Sequence, residues 1–390
     1  MHYDFPVIRH LSDVLPAIAG RDEFVVAERD WGTVVNYVVA MADTFPPVVD
    51  RDSAIRRECR GLMFDRDGNI MARRLHKFFN VNERDETQEG SIDLGRHHVI
   101  LEKLDGSMIT PVLVDGYLRF GTKMGINDIS MQAEAFVAVR PELYHFCAQS
   151  MQSSWTPIFE WCSRKQKIVI DHPEDRLVLI AMRDTITGQY MQYDQMYALA
   201  WRICEVVRQF EGTVENMRRL VEHTHALEGT EGFIVRFDDG HMVKVKSDWY
   251  VTRHRAKDSI SQEKNVISMI VDGEVDDVKA MLPDEDRQKL AEFEAVFWHG
   301  FEQSVRRVQF LLDEHRKATG GDRRTFAIER APAIHAGRRA ILFSCWDGKQ
   351  TVRDALLTTV RKNLGSQTKV DGIRWIFGEL TFWQYGDKDA

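Results

Sequence analysis

Cysteine is scarce in this sequence. The five residues Cys59, Cys147, Cys162, Cys204 and Cys345 lie far apart, with no CxxC pair. That spacing excludes a disulfide framework, argues against a thiolate zinc site and suits a reducing compartment. Long apolar runs are missing as well; none approaches the roughly 20 residues that a membrane helix needs. The opening MHYDFPVIRH lacks the basic-then-apolar pattern of a secretory signal. The expectation is therefore a soluble, cytoplasmic protein. Nor is there an excess of positive charge. With 52 Lys+Arg against 60 Asp+Glu, the net charge is −8. A protein that coats nucleic acid all over needs the opposite balance. Neither GxxxxGK(S/T) nor GxGxxG occurs, so any bound nucleotide is held by a device other than these glycine loops.

What is present is a chain of 390 residues, 44% hydrophobic and 29% charged, long enough for two folded domains. Up to about residue 250, short β-branched and aromatic runs alternate with turn residues. VVNYVVAM, HVILEKL, TPVLV, YLRFGTK, PIFEW, KIVI, RLVLIAM, GFIVRF and HMVKVK read as strands. Asp115-Gly116 and Asp239-Gly240 read as two-residue hairpin turns. Pro111 lacks an N–H, which predicts an edge or bulged strand. YDQMYALAWRICEVVRQF reads as one helix. After about residue 255 the period changes. Apolar residues at 290, 293, 297, 301, 305, 308 and 312 predict one long helix, and Val352, Leu356, Val360 and Leu364 predict another. Gly320-Gly321 separates them. The expected fold is an α/β (α+β) domain with antiparallel hairpins over 1–250, followed by an all-α domain over 251–390.

Four groups of residues could carry chemistry. Lys103 ends a strand in ILEKLDGSM and is presented at a sheet rim; as a nucleophile it would have to be neutral, which nearby cations favour. The alternative is a surface lysine before a turn. In the hairpin at 231–248, a two-residue turn places 235 opposite 244 and 233 opposite 246. Lys244, Lys246 and Glu231 then share a face, two cations suited to a polyphosphate and a carboxylate suited to a metal. The alternative is a solvated strand face. Glu160, between Phe159 and Trp161, is either exposed or functional. Arg60 in ECRGLMF and Lys77 in LHKFFN add two cations fit for phosphate, or routine surface charge.

Taken in order, ECRGLMF, HKFFNVNE, KLDGS, FEW, EGFIV and KVKSDWY resemble the nucleotidyltransferase superfamily of ligases and capping enzymes. With VDGEVDDVKAM and GGDRRTFAIE they resemble, more closely, the bacteriophage RNA ligase 1 family of tRNA-repair ligases. The resemblance covers roughly residues 30 to 330. It implies an adenylyltransferase domain over 1–250 and a helical RNA-selecting domain over 251–390. It also implies an ATP-dependent ligase that joins RNA 5′-phosphate and 3′-hydroxyl ends through a lysyl-AMP, with magnesium, or manganese in its place. By this resemblance Lys103 is the nucleophile. Asp105 and Gly106 complete its motif, Asp105 binding the ribose or orienting the site. Arg60, Lys77 and Tyr37 lie near the phosphates, and Lys123 in FGTKMG is a further required lysine. Lys244 and Lys246 face the α-phosphate and triphosphate, Glu160 and Glu231 hold the metal's waters, and Tyr250 and Asp276 approach the metal from the helical side. Leu104 departs from the charged residue common after the nucleophile. The implied partner is RNA, cleaved tRNA among the candidates, and the implied state is a monomer in a cell or a phage-infected host.

Other readings stay open on sequence. A DNA ligase or capping guanylyltransferase would carry an OB-fold after the KVK strand, where this chain turns helical. A binding module that kept the fold but not the chemistry has no reason to retain Lys103, Glu160, Glu231, Lys244 and Lys246 together. The charge is also segregated. By count, 241–257 is about +4, 316–339 about +5 and 272–294 about −6. That pattern fits a protein that grips a phosphate-bearing end at focused basic patches.

Overall fold

Asp115 and Gly116 adopt φ of 51° and 82°, the left-handed pair that a two-residue turn demands, and Val114 faces Tyr117 across it. The rest of the architecture follows from similar local choices. The computed structural model describes residues 4–41, 43–166, 168–212, 214–379 and 381–385. The chain divides into two units, Met1–Val251 and Thr252–Lys388.

The first unit begins with α1 (Leu15–Ile18), β1 (Phe24–Arg29), β2 (Gly32–Tyr37), α2 (Arg51–Glu58), β3 (Arg60–Phe64) and β4 (Ile70–Ala72). It continues with β5 (His98–Lys103), β6 (Ser107–Val114), β7 (Tyr117–Gly121), α3 (Asp128–Ala138), α4 (Pro141–Gln152), β8 (Trp155–Cys162) and β9 (Arg176–Asp184). It closes with α5 (Tyr193–Ala200), β10 (Glu205–Val206), α6 (Met217–His225), β11 (Gly232–Phe237) and β12 (Met242–Lys246). The strands form sheets ordered β1-β2-β3-β4, β10-β9-β8-β6-β7 and β12-β11-β5. All pairings are antiparallel except β9 with β10.

Alternation along the third sheet positions the site. Ile100, Val235, Val243 and Val245 turn to one face and bury against Met217 and Leu220 of α6. Lys103, Lys244 and Lys246 are left for the other face. The central sheet packs Ile109, Val112, Phe120, Phe159 and Leu179 into the largest core of this unit.

Five expectations need correction. The 237–241 turn has three residues, Asp238 to Gly240, closed by Phe237 N–H to His241 O at 2.9 Å. That shifts the register by one, so Gly232 faces Lys246 and Ile234 faces Lys244. The run KIVI is not a strand: residues 168–170 bend, with the Val169 and Ile170 N–H groups serving a buried carboxylate described below, and Lys167 lies outside the described residues. Pro111 sits on β6, which lies between β8 and β7. Pairing with β8 covers only Ser107 to Ile109, so the missing N–H falls where that ladder has ended. The helix expected over 193–210 stops at Ala200, since Glu205 and Val206 join β9 as a short strand. The strand expected over 34–41 ends at Tyr37.

The second unit carries α7 (Asp248–Ile260, which begins in the first unit), α8 (Glu263–Asp272), α9 (Val275–Met281) and α10 (Asp284–Ala318), then shorter helices including Ala336–Cys345 and Val352–Lys362. No strand follows Lys246 among the described residues. The predicted stripe is the buried face of α10: Leu290, Phe293, Phe297, Phe301, Val308 and Leu312 are all buried. Gly320 and Gly321, at φ of 57° and 84°, follow its end. Glu263 at the start of α8 accepts from Arg374 Nη1 at 3.0 Å and from the Trp383 N–H at 2.9 Å, tying the last described segment to the bundle. Among the described residues no helix is long and apolar enough to cross a membrane.

Phe297 is fully buried and packs on Phe301 and Phe377, with ring centroids 6.2 and 5.1 Å away. Phe297→Ala is expected to cost about 3–5 kcal/mol, read as a lower urea midpoint for the helical unit. An unchanged midpoint would contradict this packing.

Candidate functional site

One rung of the third sheet brings the principal residues together. Lys103, Gly232 and Lys246 are direct cross-strand neighbours. Glu231 comes just before β11, so it is not bound to the pleat and can turn back over the rung. Its Oε1 lies 2.7 Å from Lys103 Nζ and 2.9 Å from Lys246 Nζ. The Glu231 side chain is only 4% exposed, so both pairings act in a poorly solvated place.

The ring of contacts continues through Tyr250 and Asp105. Lys246 Nζ lies 4.9 Å from the Tyr250 ring centroid. Tyr250 Oη donates to Asp105 Oδ1 at 2.7 Å. The N–H groups of Val169 and Ile170 donate to Asp105 Oδ2 at 2.8 and 2.6 Å, and His172 Nε2 lies 2.7 Å from the Asp105 carbonyl oxygen. Asp105 is 2% exposed, with both carboxylate oxygens taken up by the chain. Burial, followed by the charges of Glu231 and Asp105, pushes the Tyr250 phenol well up. Tyr250 thus belongs to the first unit's network. Gly106 acts by its size: a Cβ there would come 2.5 Å from the Trp161 carbonyl oxygen. Its absence lets β8 pass close and sets Glu160 opposite Met108.

Glu160 completes this side. Burial pushes its carboxyl up to about 7; the Lys103 charge opposes the rise and the Glu231 charge adds to it. Two carboxyl groups therefore share one neighbourhood, with one of them prone to hold a proton near neutrality.

A second set of cations adjoins the first. Lys77 Nζ and Lys123 Nζ lie 5.2 and 5.7 Å from the Tyr37 ring centroid. Burial would raise the Tyr37 phenol, but Arg60, Lys77 and Lys123 outweigh it and lower it. Gly61, at φ 85°, allows the Lys123 turn to lie against β3: a Cβ there would meet the Lys123 Cα at 2.5 Å. Lys244 joins the two sets. Burial, then Arg60, Lys77, Lys103 and Lys246, depress its ammonium to about 7. Lys103 itself is paired with Glu231 at 2.7 Å.

Asp276 belongs to the second unit, on α9, with its side chain 94% exposed and 3.4 Å from Lys279 Nζ. Two contributors were missed on sequence. The Phe78 ring centroid lies 5.7 Å from both Arg60 Cζ and Lys244 Nζ, and its signal was present in HKFFN. The N–H groups of Val169 and Ile170 are main-chain donors, which no residue type announces.

A family model described as "RNA ligase" matches residues 58–250, and one described as "T4 RNA ligase 1, C-terminal domain" matches residues 257–361. The chain belongs to this RNA ligase family. It is 31% identical over 253 residues to the protein described as "Putative RNA ligase" of Thermovibrio ammonificans, covering 63% of this chain and 64% of that one. It is 26% identical over 202 residues to RNA ligase 1 of bacteriophage TS2126, covering 50% of each. The chain thus spans less than two thirds of the length of these curated relatives. A solved archaeal ATP-dependent RNA ligase aligns over 64% of both chains at 14% identity, with a TM-score of 0.45.

Because the folded pKa of Glu160 lies above an ordinary glutamate's, near 4.3, the folded chain binds the extra proton between about pH 4.3 and pH 7. Stability from this group is then lost as pH rises through that window. Melting temperatures of the parent and Glu160→Gln, measured across it, are expected to diverge, with the parent losing ground toward pH 7. Parallel curves would contradict the burial of Glu160.

Proposed function

We propose that the chain is an ATP-dependent RNA ligase that works through a lysyl-AMP. The observation that carries the reading is the Lys103–Gly232–Lys246 rung with Glu231 bridging both amines, in a chain that belongs to the RNA ligase family. Lys103 Nζ attacks the α-phosphorus of ATP. The new P–N bond forms as the bond to the β-phosphate oxygen breaks and pyrophosphate leaves. An RNA 5′-phosphate oxygen then takes the adenylyl group and frees the lysine. Last, an RNA 3′-hydroxyl attacks that 5′-phosphorus, the strands join and AMP departs.

The residues have separable tasks in this account. The Lys103 ammonium faces Glu231 Oε1 at 2.7 Å, so attack requires that the ion pair open or that the proton cross to the carboxylate. Lys244 and Lys246 stabilise charge on the α-phosphate, and Arg60, Lys77, Tyr37 and Lys123 hold the outer phosphates. Asp105 and Tyr250 hold the nucleophile's turn. Among the described residues no three His, Cys, Asp or Glu side chains cluster as a metal cage. Two carboxylates suit magnesium, or manganese, which is commonly held by one or two carboxylates together with waters and substrate phosphates. Glu160 and Glu231 would hold such an ion, which when bound offsets phosphate charge. Asp276 is a further proposed contributor from the helical unit. That unit, residues 251–390, is proposed to select the RNA, a cleaved tRNA being the substrate that the RNA ligase 1 resemblance suggests.

Incubation with radiolabelled ATP and magnesium tests the first step. Lys103→Ala is expected to abolish covalent labelling, and label retained on that variant would remove the assignment. Lys246→Ala is expected to slow labelling roughly 100-fold, while Lys317→Ala, on the exposed end of α10, stays at the parent rate. Equal rates for the two variants would take Lys246 out of the site.

A further inference from the structure

A cavity of about 230 Å³ in the first unit lies beside the cation cluster rather than at the nucleophile. Phe78 and Phe237 contribute aromatic walls, Met242 lines it from β12, and Ser91 and Asp93 belong to its exposed rim. Lys103, Glu160 and Glu231 are not among its lining.

Strand pairing shows what the cavity offers. On β12, the residues bonded to β11 are the odd ones: Phe237 N–H bonds His241 O, and Ser247 N–H bonds Glu231 O. The even residues therefore aim their main-chain groups outward. Lys244 uses both of its own, N–H to Phe79 O at 3.1 Å and O from Val81 N–H at 2.9 Å. Two residues earlier, Phe78 and Met242 belong to one buried cluster. Among the described residues no backbone partner is recorded for the Met242 N–H and C=O on that edge. Met242 is 6% exposed. A buried donor and acceptor with no partner call for something to bind them. What fits is a flat group with an acceptor and a donor side by side on one edge, and π faces for the aromatic rings. A nucleobase has that chemistry.

Position then separates this base from that of ATP. Met242 lies four residues, ~13 Å along the strand, from Lys246 on the nucleophile's rung. Phe78 and Lys77 line the cavity, and the Phe78 ring lies 5.7 Å from both Arg60 and Lys244. A nucleotide with its base in the cavity would thus set its phosphate among those cations.

We propose that this cavity is a nucleobase subsite for the RNA strand, which reads the base of a nucleotide near the ends being joined through the Met242 main chain. The assignment of the strand to RNA rests on the ligase reading above. The test uses the full chain and 5′-phosphorylated single-stranded RNAs that differ only in the terminal base. Their dissociation constants are measured alongside covalent labelling by ATP. The parent is expected to rank the four bases. Ser91→Phe, which plugs the cavity from its rim, is expected to weaken the best RNA about 10-fold, as for one lost stacked base, and to flatten the ranking, with ATP labelling within about twofold of the parent on the same scale. Asp93→Ala, which adds no bulk, is expected to flatten the ranking in part. Affinities in Ser91→Phe equal to the parent's overturn the proposal. Discrimination among free nucleoside monophosphates but not among RNAs overturns its assignment to RNA. A parent that ranks RNA bases but takes no label from ATP strikes the ligase reading instead and leaves the base subsite standing.

Discussion

The site depends on one carboxylate shared by two lysines. Glu231 is almost wholly buried, and its Oε1 is within hydrogen-bonding distance of both Lys103 and Lys246. Breaking a buried pair by removing one partner is far costlier than losing an exposed one, because an uncompensated charge is left behind. Glu231 therefore fixes where both amines sit before any phosphate arrives. It can do so because three strands put Lys103, Gly232 and Lys246 on one rung and because Glu231 itself stands outside the pleat. From there the network passes through the Tyr250 ring to Asp105, two residues beyond Lys103, and so closes on itself.

Around that core the protein concentrates cations where solvent is thin. Burial, then the charges of Arg60, Lys77, Lys103 and Lys246, drives the Lys244 ammonium down to about 7. Such crowding stores repulsion in the free protein that an anionic ligand would relieve. Glu160 carries the opposite strain, a carboxyl held near its protonated form beside Glu231. Cations short of anions and carboxyl groups short of cations are complementary halves of one binding problem, and in the proposed function ATP with a divalent ion would answer both.

Much of this was legible in the sequence. Period gave α10 and its buried face, Asp115-Gly116 gave its own turn, and the order of motifs gave the family and the cluster of Lys103, Glu160, Glu231, Lys244 and Lys246. The failures share a cause. The register of β11 and β12 depended on whether one more residue entered the turn, which a DDG run leaves open. The run KIVI looked like a strand, yet the N–H groups of Val169 and Ile170 are spent on Asp105, a partner over 60 residues away in sequence. Asp105 could be read as binding the ribose or orienting the site; only the fold shows which main-chain and phenol donors its oxygens accept from. Residue type and period report local preference, whereas these features are set by long-range pairing.

The central claim is that Lys103, held by Glu231, is the adenylated residue. Its most direct measurement is peptide mapping by mass spectrometry after incubation with ATP and magnesium. The account predicts a single AMP on the peptide carrying Lys103, removed again by pyrophosphate. AMP on Lys244 or Lys246, or none at all, would contradict it.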